Sequence, residues 1–177
     1  MRTNPQINRL RKYAGLLILL FGTYTGFAQQ DTASQKKNAI YFEMGGAGGS
    51  HSMNYERIVK LIPLLDLHFR GGFGFDNWKD YNGKINPDIV MPFMVTVSYG
   101  KNHKIEGGLG ESFSNTNETD INTGNPRRMS NLSTTFCVGY RYQNPAKHLL
   151  IRAGYMPYIE FNERFQHWAG VSIGFIF

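Results

Sequence analysis

The stretch His167-Trp168-Ala169-Gly170-Val171-Ser172-Ile173-Gly174-Phe175-Ile176-Phe177 decides the fold. Ala169, Val171, Ile173, Phe175 and Phe177 fall on one face. Gly170, Ser172 and Gly174 fall on the other, joined by Ile176. A period of two is a strand, because successive side chains point to opposite sides of the chain. The stretch runs to the last residue with no polar tail, and its apolar face ends in a phenylalanine. In water such an edge is normally covered or charged. In a bilayer the strand must be paired on both sides, which a closed barrel provides.

Seven further segments alternate in the same way: 39–46, 52–61, 65–75, 89–99, 104–113, 132–142 and 149–157. The third is the clearest, with Leu65, Leu67, Phe69, Phe73 and Phe75 against Asp66, His68, Arg70, Gly72 and Gly74. Most of these segments have the length a tilted strand needs to cross a bilayer, about 9–11 residues. The connections alternate too. Residues 62–64, 100–103 and 143–148 are short turns, whereas 45–51, 76–88, 114–131 and 158–166 are longer or more polar. Short turns on one rim and long loops on the other predict an all-β, eight-stranded antiparallel up-and-down transmembrane β-barrel. An even strand number places both ends of residues 39–177 at the short-turn rim. Within the loop 114–131, the Asn- and Thr-rich 114–128 reads as mobile. Gly45-Gly46-Ala47-Gly48-Gly49-Ser50 lacks the Lys-Ser/Thr ending of a phosphate loop and reads as a flexible tip.

Sorting the charges by phase separates the two faces. Glu43, Glu56, Asp66, His68, Arg70, Lys104, Glu106, Arg141 and Arg152 share the face opposite the apolar one. Four acids face four bases and a histidine there, which suits a narrow lumen filled by a neutralised network. Only Arg57 and Glu111 break the apolar face within strands. Arg57 can snorkel to the interface, and a bulge at Gly107-Gly108 would shift the phase of Glu111. Alternation alone also fits a soluble lipocalin-like binder with its faces reversed. Aromatic position separates the two. Phe73, Phe75, Phe93, Phe113 and Tyr155 gather near the long-loop rim, and Tyr99, Tyr140, Tyr142, Phe175 and Phe177 near the other. Two such girdles belong at the two interfaces of a membrane.

The first 28 residues read as an export signal. Arg2, Arg9, Arg11 and Lys12 precede the apolar run of Leu16 to Phe21, and Gly26-Phe27-Ala28 resembles a cleavage site. Residues 29–38 read as a flexible periplasmic lead-in, and 39–177 as the barrel. The whole chain carries 19 Lys and Arg against 13 Asp and Glu, a net charge of +6. Four of the bases and none of the acids lie in the signal, so only +2 remains. That balance does not argue for nucleic acid. The single cysteine, Cys137, has no partner for an internal disulfide and reads as a small packed residue. No Cys/His cluster has metal-ligand spacing, and no cofactor motif is present.

Three late segments carry a family resemblance: Val138-Gly139-Tyr140-Arg141-Tyr142, Ile151-Arg152-Ala153-Gly154-Tyr155 and Trp168 to Phe175. They resemble the small eight-stranded outer-membrane barrels of the OmpX/OmpA transmembrane type, in the form common in Bacteroidetes. The resemblance implies a Gram-negative outer membrane, contact with its lipid and lipopolysaccharide, and action as a monomer. It further implies that Phe177 is an assembly signal read by the barrel-assembly machinery.

The family includes adhesins, structural proteins and enzymes, so the loops must be read for function. Trp78 and Tyr81 lie in a loop that mixes aromatics with charge, and they are candidate contacts for an extracellular partner. The alternative is a lipid-modifying enzyme of the lipid A deacylase or acyltransferase kind. Ser50, His51, Ser52, Glu111, Ser112, Ser114 and His167 supply the residue types. No His-x-Ser-Asn motif is present, so no residue is assigned a catalytic role.

Overall fold

A computed structural model describes residues 36–119, 124–160 and 165–177. The export signal and most of the lead-in lie outside the described residues. Nine strand segments follow one another: β1 (Asn38–Gly45), β2 (His51–Ile62), β3 (Leu65–Asp76), β4 (Asp88–Gly100), β5 (His103–Thr119), β6 (Pro126–Asn144), β7 (Leu149–Tyr155), β8 (Tyr158–Glu160) and β9 (Ala169–Ile176). All neighbours are antiparallel, in the order β5-β4-β3-β2-β1-β9-β7-β6, and β6 pairs back onto β5. Both β7 and β8 pair with β6, so they are two pieces of one stave and the closed barrel has eight. The break falls at Met156-Pro157, where proline lacks the N–H a ladder needs. Pro157 still accepts from the Phe136 N–H (3.1 Å).

Closure joins the two ends of the described barrel. Ile40 pairs with Phe175, Phe42 with Ile173 and Met44 with Val171. Beyond the strand, Asn38 and Phe177 exchange both backbone hydrogen bonds, at 2.9 and 2.8 Å. Closure leaves no free edge along this seam.

The two faces are inverted relative to a soluble protein. Ile105 and Val138 are 70% and 69% exposed, while Glu43, Glu56 and His68 are fully buried. Strand alternation places Ala169, Val171, Ile173 and Phe175 of β9 outward, and Gly170, Ser172, Gly174 and the buried Ile176 inward. Small inward residues are sterically required at several crossings. A Cβ on Gly139 would come within 2.8 Å of the Gly154 Cα across the β6–β7 pair.

The structure corrects the sequence reading in four places. Strands β5 and β6 continue through most of the predicted 114–131 loop, with Ser114 to Thr119 paired to Asn131 to Pro126. Asn115, Asn117 and Asn131, though poor strand formers, are held there by the ladder below them. No bulge occurs at Gly107-Gly108, since β5 stays in register with both neighbours and Glu111 remains on the outward face. The Gly-rich first loop is not an open tip. It forms a 3-10 turn, Gly46–Gly48, whose residues are all buried. The seventh stave is split, as described above.

Candidate functional site: the filled lumen

Inward alternation brings most of the nine predicted charges into one network. Arg141 on β6 lies at its centre. Its Nη1 donates to Glu56 Oε2 (3.1 Å) and Glu106 Oε2 (3.0 Å), its Nη2 to Glu56 Oε1, and its Nε to Gln143 Oε1 (2.8 Å). Arg152 on β7 reaches the other oxygen of Glu106, through Nε at 3.0 Å and through Nη2. Glu106 on β5 therefore serves two guanidiniums, and Glu56 on β2 serves Arg141 and His68. His68 Nδ1 lies 3.0 Å from Glu56 Oε1, and its Nε2 lies 2.7 Å from Ser98 Oγ.

Towards the long-loop end, Arg70 pairs with Glu43 and donates Nε to Asn54 Oδ1 at 3.1 Å. Tyr41 joins the two groups. Its hydroxyl accepts from Arg152 Nη1 (2.9 Å), and its ring lies 5.1 Å from the Arg152 Cζ and 5.5 Å from the Arg70 Cζ. Cationic groups against an aromatic face gain from its negative quadrupole. Lys104 and Asp66 form a separate pair near the short turns. The four acids and four bases are thus matched inside the wall, which is what burial of charge requires.

Sequence reasoning missed Tyr41, Asn54, Ser98 and Gln143 as members of this network. All four share the inward phase, so phase carried the signal, but neutral side chains were not sorted by it. Glu43 Oε1, Thr96 Oγ1, Thr135 Oγ1 and Ser172 Oγ are buried without a protein partner among the described residues.

Apolar packing flanks the network on both sides. At the long-loop end, Ala47 of the turned-in loop packs with Met94, Cys137 and Met156. Ser112 Oγ ties the loop down by donating to Ala47 O at 2.8 Å. Glycine at 46 and 48 lets the backbone enter, since side chains there would collide with Glu43 and Ser52. At the other end, Ala39, Ile58, Leu150 and Ile176 pack beside Tyr41. An eight-stranded lumen is narrow enough for side chains to fill.

The long-loop rim holds the remaining candidates. Ser50 Oγ lies 2.6 and 2.7 Å from the two Asp76 oxygens and 2.9 Å from His51 Nδ1. Asp76 was not singled out from the sequence. The geometry differs from a hydrolytic triad: the serine hydroxyl donates directly to the carboxylate, and one ring nitrogen, His51 Nδ1, lies near both Ser50 and Asp76 (3.5 Å), where a triad histidine meets its two partners with its two nitrogens. Glu111 instead accepts from Thr134 Oγ1 at 2.8 Å on the outward face. His167 meets the Tyr155 hydroxyl (2.6 Å). Ser112 is buried on Ala47 O. The sequence-derived set is therefore scattered over several places on the rim.

The rim loop 77–87 is a folded turn. Trp78 packs edge-on against Phe75 with centroids 4.9 Å apart, and a bridge joins Lys79 to Ile85. Tyr81 is exposed at its tip. Arg128 clamps the loop base to the β5–β6 hairpin, donating to Asn86 O (2.9 Å), Pro87 O (2.7 Å) and Asp88 Oδ1 (3.1 Å).

No family model matches the chain, and no curated protein sequence does. Solved structures do match. The N-terminal β-barrel domain of Pseudomonas aeruginosa OprF has a TM-score of 0.54 at 12% identity, covering 80% of this chain and 96% of that one. The Yersinia pestis outer membrane protein Ail, in a phospholipid bilayer nanodisc, has a TM-score of 0.46 at 14% identity, covering 81% and 100%. Ail in complex with the heparin analogue sucrose octasulfate has a TM-score of 0.49 at 14% identity, covering 79% and 95%. At such identities the likeness is one of fold. The chain is a closed, eight-stranded, antiparallel up-and-down β-barrel of the transmembrane kind.

Proposed function

We propose that this is an exported outer-membrane protein of a Gram-negative bacterium with a structural or surface-interaction role through its long loops. The observation that carries the reading is the inversion of the barrel, with matched charges inside and an apolar belt outside. Such a belt belongs against lipid, and a filled lumen is unsuited to solute passage. Short turns and the 36–38 segment then face the periplasm, and the clamped 77–87 loop, with Trp78 and Tyr81, faces outward as the surface for an extracellular partner. The Bacteroidetes-type OmpX/OmpA affiliation, insertion through Phe177 by the assembly machinery, contact with lipopolysaccharide and a monomeric state belong to the same proposal.

Cell fractionation with protease shaving of intact cells tests it. The protein is expected in the outer-membrane fraction, with cleavage confined to the long loops. Recovery in the periplasmic fraction, or cleavage at the short turns of intact cells, contradicts it.

A further inference from the structure

The two rims carry different charge. At the short-turn rim lie Lys36, Lys37, Arg57, Lys60, Lys101 and Lys147, all but Lys36 exposed. They are spread around the circumference. Lys36 and Lys37 lead into β1, Arg57 and Lys60 are on β2, Lys101 is in the β4–β5 turn and Lys147 in the β6–β7 turn. None of the six forms a salt bridge among the described residues. Arg57 donates to Asn38 Oδ1 at 2.8 Å, and Lys36 to Pro145 O at 2.5 Å, both neutral acceptors. Asp66, opposite Lys60 in register, is buried and bound to Lys104. At the long-loop rim, by contrast, acids and bases alternate, with Asp76, Asp80 and Asp88 beside Lys79, Lys84 and Arg128.

A ring of like charges with no internal counter-ion repels itself and attracts anions from outside. Its depth indicates which anions. Lys101 follows Tyr99 by two residues, Lys147 precedes by two the Leu149 that pairs with Phe175, and Arg57 pairs with Asn38, which is bonded to Phe177; Tyr99 and Phe175 are outward and about half exposed. Aromatic rings of this kind lie at headgroup depth in a bilayer, and lysine and arginine reach the headgroups from there. We propose that the short-turn rim is a collar that binds the phosphate headgroups of anionic phospholipids in the leaflet it meets. The proposal rests on the membrane-spanning reading above. Clustered basic residues beside a membrane attract anionic lipid, and salt weakens the attraction.

The test uses the full barrel in neutral detergent, offered equal amounts of phosphatidylglycerol and phosphatidylcholine of the same acyl chains. Native mass spectrometry counts the lipids retained. At least a threefold excess of phosphatidylglycerol is expected, and it should fall in raised salt. The triple variant Lys60→Gln, Lys101→Gln, Lys147→Gln should bring the two lipids near parity, while Lys79→Gln with Lys84→Gln at the other rim should keep the excess. Equal retention by the unaltered protein, or an undiminished excess in the triple variant, overturns the collar. Heat-dependent gel mobility, measured on each sample, separates the two failures. A protein with no folded, heat-sensitive form fails the membrane reading, and a folded barrel indifferent to lipid charge fails only this inference. If the triple variant does not fold, Lys101→Gln alone, in a turn, must lower the excess.

Discussion

Glu106 is the residue on which the most buried charge depends. Both of its oxygens are taken by guanidiniums, Arg152 on one and Arg141 on the other. Removing it leaves Arg152 without an acid and Arg141 with Glu56 alone, and breaking one partner of a buried pair costs about 3–5 kcal/mol. Glu106→Gln is therefore expected to lower the urea stability of the reconstituted barrel by that order. Adding Arg152→Gln should restore part of it, because the orphaned charge goes with it. Stability equal to the unaltered protein in the single variant would contradict the network. Tyr41→Phe keeps the ring beside Arg70 and Arg152 but loses the hydroxyl acceptor, and a loss of about 1.5–3 kcal/mol is expected for a hydrogen bond to a charged group. At the seam, Phe177 stacks on Phe175, whose ring in turn stacks on His148. Phe177→Ala removes this outward contact and, on the proposed reading, the assembly signal. The amount of assembled barrel in cells should fall, while refolding from urea into detergent should be less affected. Unchanged assembly would leave Phe177 with its packing role alone.

Among the elements, the Gly46–Gly48 turn has the clearest consequence. It lies over Cys137, which is 1% exposed beside Ala47, Met94 and Met156. Gly48→Val would force the turn out, because a side chain there meets Ser52. A small maleimide should then label Cys137 in the folded variant and leave the folded unaltered protein unlabelled. Equal labelling would show that the turn does not close the lumen. This turn was also the least legible part of the sequence. Glycines permit both an exposed tip and a close approach of backbone to core, and composition does not distinguish them. The β5–β6 arm was misread for a related reason. Its Asn residues have weak strand preference, and pairing inherited from the barrel below overrides it. The strands themselves were legible, because period-two alternation is dictated by the pleat whatever lies on either side. The phase that sorted Arg141 and Arg152 inward is the same phase that places Ile151 and Tyr140 outward. What alternation omits is pairing across the lumen. Arg141 meets Glu56 from a strand 85 residues away, and no local pattern encodes that contact.

For the whole molecule, inversion is the governing property. A barrel with buried ion pairs and exposed Phe93, Ile105 and Val138 has no stable place in water. Inside a bilayer each feature becomes favourable: the belt meets acyl chains, the β1–β9 and β5–β6 pairings close the barrel, and charges are screened from lipid by the wall. The lumen, filled by the network and flanked by Ala47 and Leu150, should conduct no ions in a planar bilayer above the background of protein-free membrane. The most direct test of the inversion is electrophoretic mobility of the protein in phospholipid vesicles, with and without boiling, alongside protease treatment. A compact, fast-migrating, protease-resistant form that converts on boiling to the mobility of the unfolded chain is the predicted result. A protein that stays outside the vesicles and migrates identically with and without heat would contradict it.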